Sequence, residues 1–480
     1  MTDLTTTSTT TPPVPAPRTA VLDDAHVRDI RGALGTIKLD DNAPRTALSA
    51  KLKTLLAIVG PGLIVMVGDN DAGAFGTYTQ AGQNYGTSLL WTLLLLVPVL
   101  YVNQEMVLRL GAVTGVGHAR LILERFGKFW GAFSVIDLLL LNALTIVTEF
   151  IGITLAVGYL GLPNVPSVLL AAAIVVVAAS TGSFRRFERT AILLCAGSLL
   201  LVPIFFLVHP PAGQMAHDFV VPGMPAHSQL SDVMLLIIAI VGTTVAPWQL
   251  FFQQSYVIDK RITPRFLRYE KADLWIGIVI AVIGAAAMMG FCAAAFAGHG
   301  EAGNFTDAGA VAAGLEKHAG KLAGVLFAIA LLDASIIGAS AVSLSTAYAI
   351  GDVLGLKHSL HRGIKGAKGF YAVFAGLILT AAVLFPDISS TTILDIMAVC
   401  GVAGILALGY AETRRRHKGW ALSGPVDRTG KGSWRMPPLR ELPAPVLSTG
   451  RKIGLAALRT YLLAAMILVI VRIVQLAVAH

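Results

Sequence analysis

Residues 68–73 read GDNDAG and interrupt an apolar run that begins LLAIVGPGLIVMV at Leu55 and resumes AFGTYTQAG at Ala74. In hydrocarbon an unpaired polar group costs several kcal/mol, so two carboxylates and an amide in such a run imply a purpose. A carboxylate at a helix break offers oxygen to a hard cation, and neighbouring carbonyls add more. Asp71 is the first candidate ligand, with the Gly68 carbonyl beside it; Asp69 and Asn70 either share the task or cap a half-helix that starts near Ala74. A second interruption lies in LLIIAIVGTTVAPWQLFFQQSYV, residues 235–257, where Gly242, Thr243, Thr244 and Pro247 break the helix. Thr243 and Ala246 are read there as ligands, with Thr244, Trp248, Gln249 and Gln253 as further cavity-lining candidates. Either glutamine can instead tie two helices together, and an aromatic beside a proline is as readily plain packing.

The elements that must position these residues are membrane helices. The chain has 480 residues, 55% apolar and 14% charged, with a mean hydropathy of +0.72, too oily for an ordinary soluble domain. Runs of bilayer-crossing length recur, and we read eleven spans: 55–82 (broken), 87–110, 131–159, 166–181, 190–208, 231–257 (broken), 273–297, 321–350, 369–385, 390–411 and 453–476. Nearly all of the 37 Lys and Arg fall in segments on one face, while the other carries Lys317 and Lys321. That bias predicts a cytoplasmic N-terminus and, with eleven spans, an external C-terminus. It also accounts for the net charge of +9 without nucleic acid.

Five spans separate the two interruptions, and an odd repeat inserts its second copy upside down. Broken segments at matching positions in two halves are the sequence mark of an inverted-repeat transporter with its site at mid-membrane; the plain alternative is two kinked helices. The expected organisation is a disordered cytoplasmic tail at 1–50, a first repeat at 51–208, an external loop at 209–230, a second repeat at 231–412, a cytoplasmic loop at 413–452, and a last helix with the C-terminus at 453–480. The first sixteen residues carry neither a basic n-region nor an apolar h-region, so no secretory signal is read there. Cys195, Cys292 and Cys400 lie in separate spans with no metal-ligand spacing. Signatures such as GxxxxGK[ST] and HExxH are absent, and no GxSxG opens a helix after a strand. Transport rather than catalysis is therefore expected, with no cofactor and no obligatory protein partner, in a plasma membrane.

Taken in order, GPGLIVMVGDNDAG, QEMVLRLGAVTG (104–115), TEFIG (148–152), FRRFER (184–189) and GTTVAPWQLFFQQS resemble the natural resistance-associated macrophage protein (Nramp) family of divalent metal transporters. The resemblance implies an all-α integral membrane fold, a LeuT-like inverted repeat of five plus five helices with one extra helix. It also exposes departures. Where the family has DPGN, this chain has Asp71, Ala72, Gly73 and Ala74; where it has MPH, this chain has Ala246, Pro247 and Trp248. The carboxylate survives, whereas the amide, thioether and imidazole are gone. Soft sulfur favours transition metals and Mg²⁺ wants oxygen and water, so the pattern resembles the magnesium-transporting branch, with Mn²⁺ also compatible. Proton-coupled members use the histidine and an acidic pair on the third helix; here Glu149 remains, but the position three before it is Ile146. The expectation is an uncoupled Mg²⁺ importer driven by the membrane potential, about 4.6 kcal/mol per 100 mV for a divalent ion. The alternatives are a proton-coupled Mn²⁺ or Fe²⁺ importer and a sodium-coupled organic-solute carrier. Asp137, Asp273, Asp333 and Asp395 are further intramembrane candidates, Asp273 being read as an ion pair or gate close after Arg268 and Lys271.

Overall fold

The computed structural model describes residues 25–225, 228–384, 448–450 and 453. Sixteen α-helices follow one another among these residues: α1 (Leu48–Ile58), α2 (Pro61–Val67), α3 (Ala72–Tyr85), α4 (Trp91–Thr114), α5 (His118–Phe126), α6 (Lys128–Tyr159), α7 (Asn164–Ala179), α8 (Phe184–Gly197), α9 (Leu201–Val208), α10 (Ala212–Val220), α11 (Leu230–Thr244), α12 (Pro247–Asp259), α13 (Leu267–Phe296), α14 (Ala308–Ala319), α15 (Lys321–Leu354) and α16 (Lys368–Leu384). By length and composition six segments among the described residues can cross a membrane, or seven if the bent pair α1 and α2 is one span. The spans read at 390–411 and 453–476 lie outside the described residues, as do Asp395 and Cys400.

The first span departs from its reading in a way that matters below. It is broken twice, because α1 meets α2 at 53° before the expected gap between α2 and α3. Pro61 cannot extend α1, having no N–H to give and a ring that clashes with the preceding turn; at the first position of α2 it is well suited. Gly60 joins the two at φ 157°, which side chains rarely adopt, and a Cβ there would lie 2.2 Å from Glu188 Oε1.

Two further expectations are corrected. Residues 25–50, read as part of a disordered tail, include a short antiparallel hairpin, β1 (Ile30–Arg31) with β2 (Thr36–Ile37), and the start of α1. Ile30 and Ile37 pack into the core beside Ala57 and Ile58, and four arginines hold the hairpin's carbonyls, an anchorage invisible to composition. The loop read at 209–230 contains α10, whose Met215 reaches Gly290 on α13.

The long helices α6, α13 and α15 pack around α2 and α3. Gly62 and Gly277 allow α2 and α13 to touch backbone to backbone: a Cβ on Gly62 would fall 2.5 Å from the Leu274 nitrogen, and one on Gly277 2.5 Å from the Gly62 carbonyl. Close approach of small residues is how helices associate where lipid supplies no hydrophobic drive.

Between α15 and α16 the chain folds over the end of α12. Asp259 accepts from Ser359 Oγ at 2.5 Å, Tyr348 Oη at 2.6 Å and Leu360 N at 2.8 Å, and His361 Nε2 lies 3.0 Å from the Asp259 carbonyl. Burial pushes the His361 imidazole down from 6.5 to about 4, despite the Asp259 carboxylate nearby. Below pH 6.5 the unfolded chain binds a proton that the folded loop refuses until about pH 4, so stability falls as pH drops through that window. Thermal melts at neutral pH and near pH 5 should show a larger loss for the wild type than for His361→Gln; equal losses would remove His361 from the acid response.

Candidate functional site

Helix α2 ends at Val67 and α3 starts at Ala72; α11 ends at Thr244 and α12 starts at Pro247. The two gaps face each other. Tyr78 Oη and Thr244 Oγ1 are 2.7 Å apart, joining α3 to α11. Gln249 Nε2 on α12 donates to Asp69 Oδ1 and, at 3.2 Å, to the Thr244 carbonyl, while Gln249 Oε1 accepts from Gln104 Nε2 on α4 at 2.9 Å. Asp69 is thus bound by a buried amide chain that runs from α4 through α12. Asn70 reaches the other way, its Nδ2 donating to the Ala281 carbonyl of α13 at 3.0 Å.

Asp71 itself caps α3. Its Oδ1 accepts from Ala74 N at 3.0 Å, with the backbone extended at φ −79°, ψ −171°. The capping role considered for Asp69 or Asn70 therefore belongs to Asp71, because the helix begins at Ala72, two residues earlier than expected. A carboxylate at a helix N-terminus sits at the positive end of the dipole, so the fold itself fixes Asp71 in place. Gly73 borders both gaps: a Cβ on it would stand 3.3 Å from Asp71 Oδ1 and 3.9 Å from Thr243 Oγ1.

Glu149 comes in from α6. It is fully buried, its Oε2 accepts from Ala72 N at 3.2 Å, and its Oε1 has no hydrogen-bond partner among the described residues. It contacts the Asp71 side chain. Gly338 on α15 makes room for both, since a Cβ there would lie 2.8 Å from Glu149 Cδ and 2.9 Å from Asp71 Cβ.

The remaining candidates divide. Gly68 is the buried C-cap of α2, its N–H bonded to the Ile64 carbonyl at 2.9 Å. Ala246 is the N-cap of α12, and its carbonyl accepts from Gln249 N at 3.3 Å. Ala74 serves through its amide. Trp248 is 2% exposed, packs edge-on against Phe252 at 6.0 Å, and its carbonyl accepts from Ser345 Oγ at 2.8 Å; it behaves as a packing residue. Gln253 is fully buried with neither amide atom hydrogen-bonded among the described residues.

Asp273 is not paired with Arg268 or Lys271; it accepts from the amides of Gly60, Gly62 and Leu63 at the start of α2. Asp333 packs against Gly197, and Asp137 is half-buried on α6; neither has a hydrogen-bond or ion-pair partner among the described residues, and neither joins the gaps. Sequence reading missed Gln104, Tyr78 and Gly338. Gln104 at least carried a signal, as an amide in the middle of an apolar span.

A small cavity between the gaps is lined by Met66, Asp69, Asn70, Tyr78, Thr244 and Ala281. Met66, from α2, is the methionine among these lining residues. Among the described residues no three of His, Cys, Asp and Glu are grouped as a cage for a resident metal. The donors are carboxylate, hydroxyl and carbonyl oxygen, a set suited to a cation that keeps some of its water.

Long apolar helices, with two facing interruptions around a buried carboxylate, define the molecule as a polytopic membrane protein. Residues 62–411 match the family described as natural resistance-associated macrophage protein-like, and the chain belongs to that family. Curated relatives include a divalent metal cation transporter MntH of Burkholderia ambifaria, 30% identical over 313 residues that cover 62% of this chain and 69% of the relative. Another, of the same name, from Ralstonia nicotianae is 34% identical over 302 residues, covering 59% and 66%. Among solved structures, the Eremococcus coleocola manganese transporter aligns with a TM-score of 0.55 at 18% identity, covering 78% of this chain and 82% of that one, which is a likeness of fold.

Proposed function

We propose that this protein carries a divalent metal cation across a membrane, binding it between the two helix gaps with Asp71 as principal ligand. The observation that carries the reading is the placement of Asp71: a buried carboxylate capping one half-helix where the two gaps face each other, and in contact with Glu149. A mid-membrane carboxylate held this way supplies charge and oxygen without a closed cage, so the ion can leave as well as enter. Support comes from the family and from relatives named for divalent metal cations. The N-terminus is proposed to be cytoplasmic, on the Lys and Arg bias.

On the identity of the ion, a manganese reading draws support from structural neighbours that are named manganese transporters, against the magnesium expectation. Two features of the site support manganese with proton coupling: Met66, a residue with a soft sulfur, lines the same cavity as Asp69, and Glu149, with one oxygen unpartnered among the described residues, is a carboxyl group able to hold a proton. The magnesium reading rests on the missing thioether and imidazole at Ala246 and Trp248. Reconstituted vesicles loaded with metal-sensing and pH-sensing dyes separate the two. Manganese uptake that acidifies the lumen, is weakened by Met66→Leu and by Glu149→Gln, and is little competed by Mg²⁺ supports proton-coupled manganese transport. Mg²⁺ uptake with no pH change supports the uncoupled reading. Transport of neither ion overturns the proposal.

A further inference from the structure

The hairpin at residues 25–43 does more than cover a surface. Arg185 on α8 donates from Nε to the Gly32 carbonyl at 3.0 Å and from Nη2 to the Gly35 carbonyl at 3.1 Å; Arg189, one turn on, donates to the Ala33 carbonyl at 2.9 Å. From the connection between α12 and α13, Arg261 holds the carbonyls of Ala25 and Asp29 at 2.8 and 2.7 Å, and Arg265 holds those of Asp41 and Ala43. Gly32 and Gly35 sit on the last turn of α1, so close that a Cβ on Gly32 would fall 2.1 Å from the Ala57 carbonyl and one on Gly35 2.9 Å from Ala57 Cβ. One short segment thus bridges α1, α8 and the α12–α13 corner.

Under it lies the kink between α1 and α2. Lys260, fully buried, donates to the Ile58 carbonyl at 2.5 Å, the Val59 carbonyl at 2.8 Å and Glu188 Oε1 at 2.7 Å. The other oxygen of Glu188 accepts from Ala33 N of the hairpin at 2.6 Å. A single buried carboxylate therefore joins the hairpin to the lysine that grips the end of α1, and α2 leads from there straight to Asp69 and Asp71. The family match begins at residue 62, so the hairpin and α1 lie outside the part of the chain shared with that family.

We propose that residues 25–43 form a strap that locks α1 and the kink against α8, so that the chain carries its own brake on release of the cation at the N-terminal face. The proposal rests on the transport reading above, since it needs the α1–α2 arm to swing away before an ion bound near Asp71 can leave. Such a swing must part the end of α1 from the hairpin that Arg185, Arg189 and the Ala33–Glu188 bond hold on α8, which makes separation of Ala57 from Gly32 and Gly35 a slow step that weaker anchoring accelerates.

The full chain in liposomes tests this with Mn²⁺ and Mg²⁺ as the probe ions. A Gly35→Cys, Ala57→Cys pair places two Cβ atoms within reach of a disulfide after a small shift. Oxidised, it should carry at least tenfold less flux than when reduced, with reductant restoring the difference. The paired variant Arg185→Ala, Arg189→Ala, which leaves Glu188 and Lys260 in place, should raise the initial rate two- to fivefold. Flux indifferent to oxidation overturns the strap. Should the cysteine pair be inactive in both states, the arginine variant decides: an unchanged or lowered rate overturns it. If the wild type moves neither ion, the transport reading has failed; if the wild type is active, Asp71→Ala has lost its flux and the staple has no effect, only the strap has failed.

Discussion

Asp71→Ala is expected to lower divalent-cation flux at least a hundredfold in vesicles, with Asp71→Asn nearly as severe. The two substitutions separate charge from architecture. Alanine removes both the anion and the acceptor for Ala74 N, and loss of such a cap costs about 1 kcal/mol of stability. Asparagine keeps the acceptor and the shape, so its thermal stability should match the wild type while its flux does not. A hundredfold loss corresponds to about 2.8 kcal/mol, reasonable for removing the charge of a buried carboxylate that binds the ion directly. Asp69, tied by Gln249, is expected to respond differently: Gln249→Leu frees it and disturbs the amide chain to Gln104. An Asp71→Asn protein with wild-type flux would remove Asp71 from the site.

Lys260→Met is expected to be the most destabilising single change in the described part of the chain. The ammonium is fully buried with Glu188, Asp273 and Glu270 around it, and it also closes the carbonyl end of α1. Removing one partner of a buried pair leaves an uncompensated charge and costs about 3–5 kcal/mol, whereas removing both is far gentler. Thermal melts and the yield of folded protein should therefore fall sharply for Lys260→Met and recover in part for Lys260→Met with Glu188→Gln, which keeps an oxygen for Ala33 N. A double variant no better than the single one would show that the carbonyl contacts, rather than charge balance, hold the kink.

Apolar content and its spacing marked out the long helices among the described residues but not α5, α10 or α14, and the polar and glycine residues at 68–73 and 242–247 coincide with the gaps between α2 and α3 and between α11 and α12, because hydrocarbon tolerates irregular backbone only where something else satisfies it. The same residues named Asp71. What each candidate does once there was decided by contacts between residues far apart in sequence. Asp71 caps α3 because the helix starts at Ala72; Asp69 is held because Gln249 arrives from a helix 180 positions away; Glu149 stands beside Asp71 because Gly338, on a third helix, leaves the space. The second break at Gly60, the buried lysine behind it and the hairpin that straps it were illegible for the same reason. Local pattern reports how a segment meets lipid or water, while hydrogen-bond partners and charge pairs are set only when the helices have packed.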